Sequence, residues 1–355
     1  LCVECAYTSA LLFCFNPASV FFSAAYSESL FCMMTFSGYF FAERNNRFLA
    51  VTCWVTASYT RSNGSLVVAW LILQTIARCL QPFQTLDGIL SDLLSLFYQS
   101  FFILVPIIYH DWNGYYIHCV KAQEGFQPQW CNDAHPMFGL NHYLAFLDAD
   151  DFMIYVKTYS LYKNVQSRYW NVGFLNYYEW KQIPNFLLAF PVLFLGATGA
   201  LTWIWQSWKL FRKNEKVSNG ETGKWWHMVL QPTRWALFAL RVSKAPIEEA
   251  IKTLWEREQP TVILVGPTLL AYYAVLAAAC LVGATIAHVQ ISTRFIFSSC
   301  PAIYWFMSYI CISDSKDESI SIMKKLLLCR SAMVCYCAGF ILAGVTMHVN
   351  WLPWT

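Results

Sequence analysis

The sequence predicts an all-α, polytopic transmembrane protein, and two observations carry that prediction. Of its 355 residues, 57% are hydrophobic and only 13% charged, and aromatics alone supply 18%. No soluble domain of this length can hide such a surplus of apolar surface from water. The apolar residues also fall into long runs divided by short polar clusters, and backbone inside a bilayer must satisfy its own hydrogen bonds, as a helix does. The net charge of +3 is small and scattered beside those runs, which excludes a nucleic-acid partner.

Taken in order, the apolar runs are Ser9 to Ala25, Ser29 to Ala42, Phe48 to Tyr59, Ser65 to Leu80, Leu93 to Tyr109, Ile183 to Trp205, Thr261 to Ala287, Pro301 to Ile312 and Ser331 to Val349. They suggest roughly nine crossings, several of them short enough to be broken helices. The expected layout is N-terminal transmembrane helices over 1–110, a loop over 111–183, a transmembrane helix over 184–206, a second loop over 207–260 and C-terminal transmembrane helices over 261–355. Ten Lys and Arg residues lie in 207–260 against five in 111–183. The positive-inside rule therefore places 207–260 in the cytoplasm and 111–183 on the exoplasmic side. With that orientation, Tyr26-Ser27-Glu28, Arg61-Ser62-Asn63-Gly64 and His288 to Arg294 all fall on the exoplasmic face. Glu43 to Arg47 and Arg78 to Gly88 fall on the cytoplasmic one.

Asn16-Pro17 interrupts the first run. Proline removes a backbone donor, and the carbonyls it frees need a protein or water partner at membrane depth. Glu28, at the end of that run, is either an acid lining a polar cavity or a solvated residue at the start of the next helix, where the dipole favours an anion. Arg61, beside Gly64, either meets a phosphate or snorkels to the interface. Arg294 offers a second guanidinium from a distant segment, and two such forks on one face suit phosphate oxygens. His288 beside it is an ordinary polar residue or a ligand contact. Asn63-Gly64-Ser65 matches a glycosylation sequon but abuts a membrane run.

The long loop carries Asp148, Asp150 and Asp151, read as a solvated acidic cluster, and no metal site is expected. Its two cysteines, Cys119 and Cys131, stand apart from the membrane cysteines as a candidate disulfide in an oxidising lumen. The stretch from Tyr169 to Phe186 is rich in Trp and Tyr, which suits a bilayer interface, and Pro184 suits a first helical turn. Lys213 to Lys224 reads as a flexible loop, and Trp235 to Leu240 as a short interfacial piece.

Asn16-Pro17-Ala18-Ser19-Val20-Phe21 with Ser23 to Glu28, then Arg61 to Gly64, Tyr169-Trp170-Asn171-Val172-Gly173-Phe174, Pro184 to Ala189, His288-Val289-Gln290 with Thr293-Arg294-Phe295, and Leu352-Pro353-Trp354-Thr355 resemble, in order, the GPI mannosyltransferase 2 family. The resemblance implies a multi-spanning GT-C enzyme of the endoplasmic reticulum membrane. Such an enzyme takes mannose from dolichyl-phosphate mannose and adds it, α-1,6-linked, as the second mannose of the GPI-anchor precursor on the lumenal side. A β-linked donor giving an α product means inversion through one displacement with a carboxylate base. No cofactor is implied, and a partner subunit is possible.

On that reading Arg61, Asn63, Arg294, His288, Gln290 and Tyr26 bind donor phosphate or sugar. Trp170, Asn171, Lys181 and Gln182 bind acceptor or lipid, and Glu28 is a candidate catalytic acid. The family's Trp-Asp motif, whose Asp is the expected catalytic residue, would lie upstream of Leu1, so residues 1–355 alone are expected to lack transferase activity. Two other classes compete: a multi-pass transporter, for which charges and internal repeats within the spans are the missing signature, and a non-catalytic membrane subunit or inactive truncated homologue.

Overall fold

The computed structural model describes residues 3–79, 85–121, 131, 173–218, 267–287, 289–313 and 330–350. Eleven α-helices are seen among them and no strand. In chain order they are α1 (Val3–Cys14), α2 (Ser19–Ser23), α3 (Glu28–Glu43), α4 (Arg47–Thr60), α5 (Leu66–Cys79), α6 (Leu86–Tyr115), α7 (Ile183–Ser218), α8 (Pro267–Thr285), α9 (Ser292–Ser299), α10 (Ala302–Ser313) and α11 (Arg330–Val349). The helix α6 continues five residues past the expected end of the N-terminal helical region, and α7 runs twelve residues past 206.

Three of these segments are long and apolar enough to cross a bilayer, Leu86–Cys119, Trp180–Trp208 and Arg330–Val349. A fourth crossing results if α9 and α10, bent by 89° at Cys300-Pro301, count as one. Length and composition thus single out fewer segments among the described residues than the roughly nine apolar runs of the sequence. A helix rises about 1.5 Å per residue, so the 16 residues of α3 or the 14 of α4 fall short of a hydrocarbon core about 30 Å thick. Apolar run length measures hydrophobicity, and several runs are short helices packed on one another.

The first run is broken where the sequence places Pro17. Asn16 repairs the break with both ends of its amide: Oδ1 accepts from the Ala18 amide at 2.8 Å, and Nδ2 donates to the Phe13 carbonyl at 2.7 Å. A backbone carbonyl freed near the proline is thereby satisfied inside protein, and the chain turns into α2.

Helices α3 and α4 form a hairpin around Asn45, whose φ of 58° is the left-handed conformation that asparagine tolerates. The Asn46 side chain then caps α4 by accepting from the Leu49 amide. Close packing of the pair depends on Gly38, since a Cβ there would stand 2.2 Å from Trp54 Nε1. Around Trp54 lie the edge-on rings of Tyr39 and Trp70, with Tyr272 of α8 against both and Trp305 of α10 beyond. This aromatic block is the centre of the core, joining α3, α4, α5, α8 and α10. Helix α1 docks on α10 through hydroxyl bonds across the interface, Ser9 to the Tyr304 carbonyl and Ser308 to the Cys5 carbonyl, a device suited to an apolar medium.

Candidate functional site

Two charged clusters cap opposite ends of α4. At its N-terminal end Arg47 and Arg78 share Asp92 Oδ1 at 3.6 and 3.8 Å, and Tyr272 of α8 donates to Glu43, the last residue of α3. At its C-terminal end, about 21 Å away by helical rise, lies the second cluster. The two clusters are thus separated by the length of α4.

In the second cluster Glu28 is the first residue of α3, Arg61 follows the last residue of α4, and Arg294 is the third residue of α9. The guanidinium of Arg61 is ion-paired with Glu28 Oε1, and Arg294 Nη1 lies 3.5 Å from that same oxygen. The carboxylate is fully buried, while the two arginine side chains keep 21% and 25% of their surface exposed. Glu28 thus stands beneath two cations that remain open on their outer side, and the α3 dipole favours its negative charge. Arg294 also lies over the Phe21 ring, 5.2 Å from its centroid. Phe21 in turn meets Tyr26, whose other neighbour is His348 of α11.

Local backbone makes this placement possible. Arg61 is extended and leads into the 3₁₀ turn Ser62–Ser65, which carries Asn63. The turn folds tightly onto α4 because Gly64 lacks a side chain: a Cβ there would be 2.6 Å from both Cα and N of Ser58. On the other side, the turn Val289–Ile291, which includes Gln290, aims α9 at the start of α3.

Several polar atoms around the cluster are buried without a hydrogen-bond partner: Glu28 Oε2, Arg294 Nε, Thr293 Oγ1 and Ser58 Oγ. Native interiors satisfy almost all such atoms, and the same condition recurs elsewhere in the core, at Trp70 and Tyr273 among others. Ser58, Thr293 and Phe21 were not among the residues the sequence singled out. Ser58 lies one helical turn before Arg61 and Thr293 directly precedes Arg294, yet their burial depends on packing that sequence spacing does not reveal.

Chemically, the cluster is suited to an anion. A carboxylate paired through one oxygen with two guanidiniums holds both of them in place. The arginines present forks that match phosphate oxygens.

The aromatic stretch plays a different part. Leu175 takes a φ of 57° and donates its amide to the Thr285 carbonyl at 2.7 Å, while Tyr178 OH donates to the Ala284 carbonyl at 2.8 Å. Tyr177 packs with Ala189 and Val289. Burial raises the Tyr177 phenol above its usual range, so it stays neutral and accepts from Asn185 Nδ2. That same amide donates to Gln182, and Lys181 is exposed and paired with Glu179. These bonds fasten the stretch to the C-terminal end of α8 and to the turn that leads to Arg294. Lys181 and Gln182 are thus bonded to Glu179 and Asn185 within the same stretch.

Cys119 and Cys131 are joined by a disulfide, with Cα atoms 5.4 Å apart. Trp170, Asn171, His288, Asp148, Asp150, Asp151, residues 219–224, Trp235 to Leu240 and the terminal Leu352 to Thr355 lie outside the described residues, whereas Lys213 to Ser218, expected as the start of a flexible loop, continue the helix α7. Among the described residues no three His, Cys, Asp or Glu side chains gather as metal ligands.

A helical membrane protein with a buried carboxylate supporting two half-open arginines is the class of molecule that fold and site define. Comparison with known proteins makes this specific. Residues 1–355 match the family described as mannosyltransferase (PIG-V), and the chain belongs to that family of membrane glycosyltransferases. It is 27% identical to GPI alpha-1,6-mannosyltransferase 2 of Homo sapiens, over 100% of this chain and 71% of the human protein. It is 28% identical to GPI mannosyltransferase 2 of Drosophila pseudoobscura pseudoobscura, over 98% of this chain and 67% of that protein. With GPI mannosyltransferase 2 of Schizosaccharomyces pombe it shares 30% identity over 53% of this chain and 36% of the yeast protein. No solved structure matches it.

Proposed function

We propose that the protein transfers the second mannose, in α-1,6 linkage, to the GPI-anchor precursor, drawing it from dolichyl-phosphate mannose on the lumenal side of the endoplasmic reticulum membrane. Membership of the mannosyltransferase family and the names of the relatives support the reaction. The observation that carries the donor assignment is the shared carboxylate of Glu28 beneath Arg61 and Arg294. A lipid-phosphate leaving group needs cationic stabilisation where its charge develops, and two fixed guanidiniums supply that without waiting for solvent to reorganise.

In this reaction the acceptor hydroxyl attacks the anomeric carbon, the bond from that carbon to the phosphate oxygen breaks, and the electron pair leaves on the phosphate. Inversion requires one displacement and a base for the hydroxyl proton. Arg61 and Arg294 hold the phosphate, and Glu28 positions both.

The test is complementation of cells that lack the second mannosylation step, comparing Arg294 with Arg294→Ala at matched protein levels. Expressed in the full-length polypeptide, the former restores surface display of GPI-anchored proteins and the latter reduces it at least about tenfold, the scale on which a transition-state donor contributes. Unchanged display in the variant overturns the phosphate role. In membranes, transfer from a nucleotide-linked mannose with dolichyl-phosphate mannose synthesis blocked overturns the donor.

A further inference from the structure

We infer that Glu28 sets the formal charge of the phosphate site to +1, matching the singly charged phosphodiester donor and favouring escape of the doubly charged phosphomonoester product. The inference rests on the proposed function and concerns the same site. Two guanidiniums face one carboxylate, and that carboxylate is fully buried, so its charge is felt undiluted by solvent. Its Oε2 is buried with no hydrogen-bond partner.

The charge count changes during the reaction. The donor is a phosphodiester with one negative charge. When the bond from the anomeric carbon to the phosphate oxygen breaks, its electron pair stays on that oxygen, and the acceptor's hydroxyl proton leaves through the base to water. The lipid phosphate left behind is a monoester, whose second ionisation lies near pH 6 for phosphate esters of this kind. Above that pH it is a dianion. The donor complex is formally neutral and the product complex carries one excess negative charge in a largely dehydrated place. The desolvation cost of an ion grows with the square of its charge while its attraction to a fixed site grows only in proportion, so the product is the poorer fit. A site built from the arginines alone would match the product and hold it.

Among the described residues, the charged and titratable groups facing the cluster are Arg61 from the end of α4, Arg294 from α9 and Tyr26 just before α3, with His348 of α11 against Tyr26. Histidine is the residue type that changes charge in the same pH window, so the measurement is made in a His348→Gln background. Binding of dolichyl phosphate and of dolichyl-phosphate mannose to the full chain in nanodiscs is compared at pH 5.5 and pH 8, and the readout is the ratio of the two affinities. Glu28→Gln shifts that ratio toward the monoester by about tenfold or more at pH 8, as expected for removing one near, poorly screened charge, and by much less at pH 5.5. Arg61→Gln shifts it the opposite way, which keeps the idea testable if Glu28→Gln does not fold.

A shift that is the same at both pH values, or shifts of the same sign in the two variants, overturns the inference. If Arg61→Gln and Arg294→Gln leave both affinities unchanged, the phosphate reading itself fails. If those two weaken both lipids while Glu28→Gln leaves the ratio alone at pH 8, the phosphate reading stands and the role of Glu28 falls.

Discussion

Arg294 and Arg61 meet at a single oxygen, Oε1 of Glu28, although 33 residues separate Glu28 from Arg61 and Arg294 lies on a helix far later in the chain. This shared carboxylate couples the stability of the fold to the geometry of the site. Removing it leaves two cations opposed without their counter-ion, whereas removing either arginine leaves a pair. Glu28→Ala therefore loses about 3–5 kcal/mol of stability and Arg294→Ala distinctly less. Unfolding in detergent micelles measures both, and a smaller loss for Glu28→Ala than for Arg294→Ala would show that the carboxylate is not the hub.

Gly64 holds the turn that presents Arg61. In Gly64→Ala the new methyl carbon meets backbone atoms of Ser58, which cannot swing aside as a side-chain end would. The turn must lift, at a cost of about 1–3 kcal/mol for overpacking, and Arg61 moves with it. Expected in complementation is a loss of function comparable to that of Arg61→Ala; full activity of Gly64→Ala at normal abundance would show that the turn tolerates displacement.

Asn16 should be sensitive in a graded way. Asn16→Ala strips a partner from the Ala18 amide and from the Phe13 carbonyl, an effect of about 1–3 kcal/mol for each buried group left unsatisfied. Asn16→Asp keeps the acceptor and loses the donor, so its melting temperature falls between those of the other two. Equal loss in both variants would mean that only the donated bond matters.

The disulfide closes a short loop, Cys119 to Cys131. Thiol labelling followed by mass spectrometry should find both cysteines blocked until reduction. A loop of this size contributes about 3 kcal/mol by the chain-entropy argument, so Cys131→Ser lowers the thermal stability of the oxidised protein and leaves that of the reduced protein unchanged. Labelling of either cysteine without reductant would contradict the pairing.

By itself the sequence determined the helical membrane class, the positions of α3, α4, α5, α10 and α11 to within a residue or two, and the break at Pro17. Those features follow from local physics: apolar run length, the missing amide of proline, and the preference of arginine and aromatic residues for interfaces. Tertiary structure alone decided that α3 and α4 are short packed helices and that Lys181 engages Glu179. It also decided that Glu28 is a buried support for Arg61 and Arg294. A run of apolar residues reads the same whether lipid or another helix covers it, and the sequence cannot say which carboxylate oxygen two distant guanidiniums share. Burial and partnership are properties of packing between segments, and they turned a helix-end acid into the centre of the site.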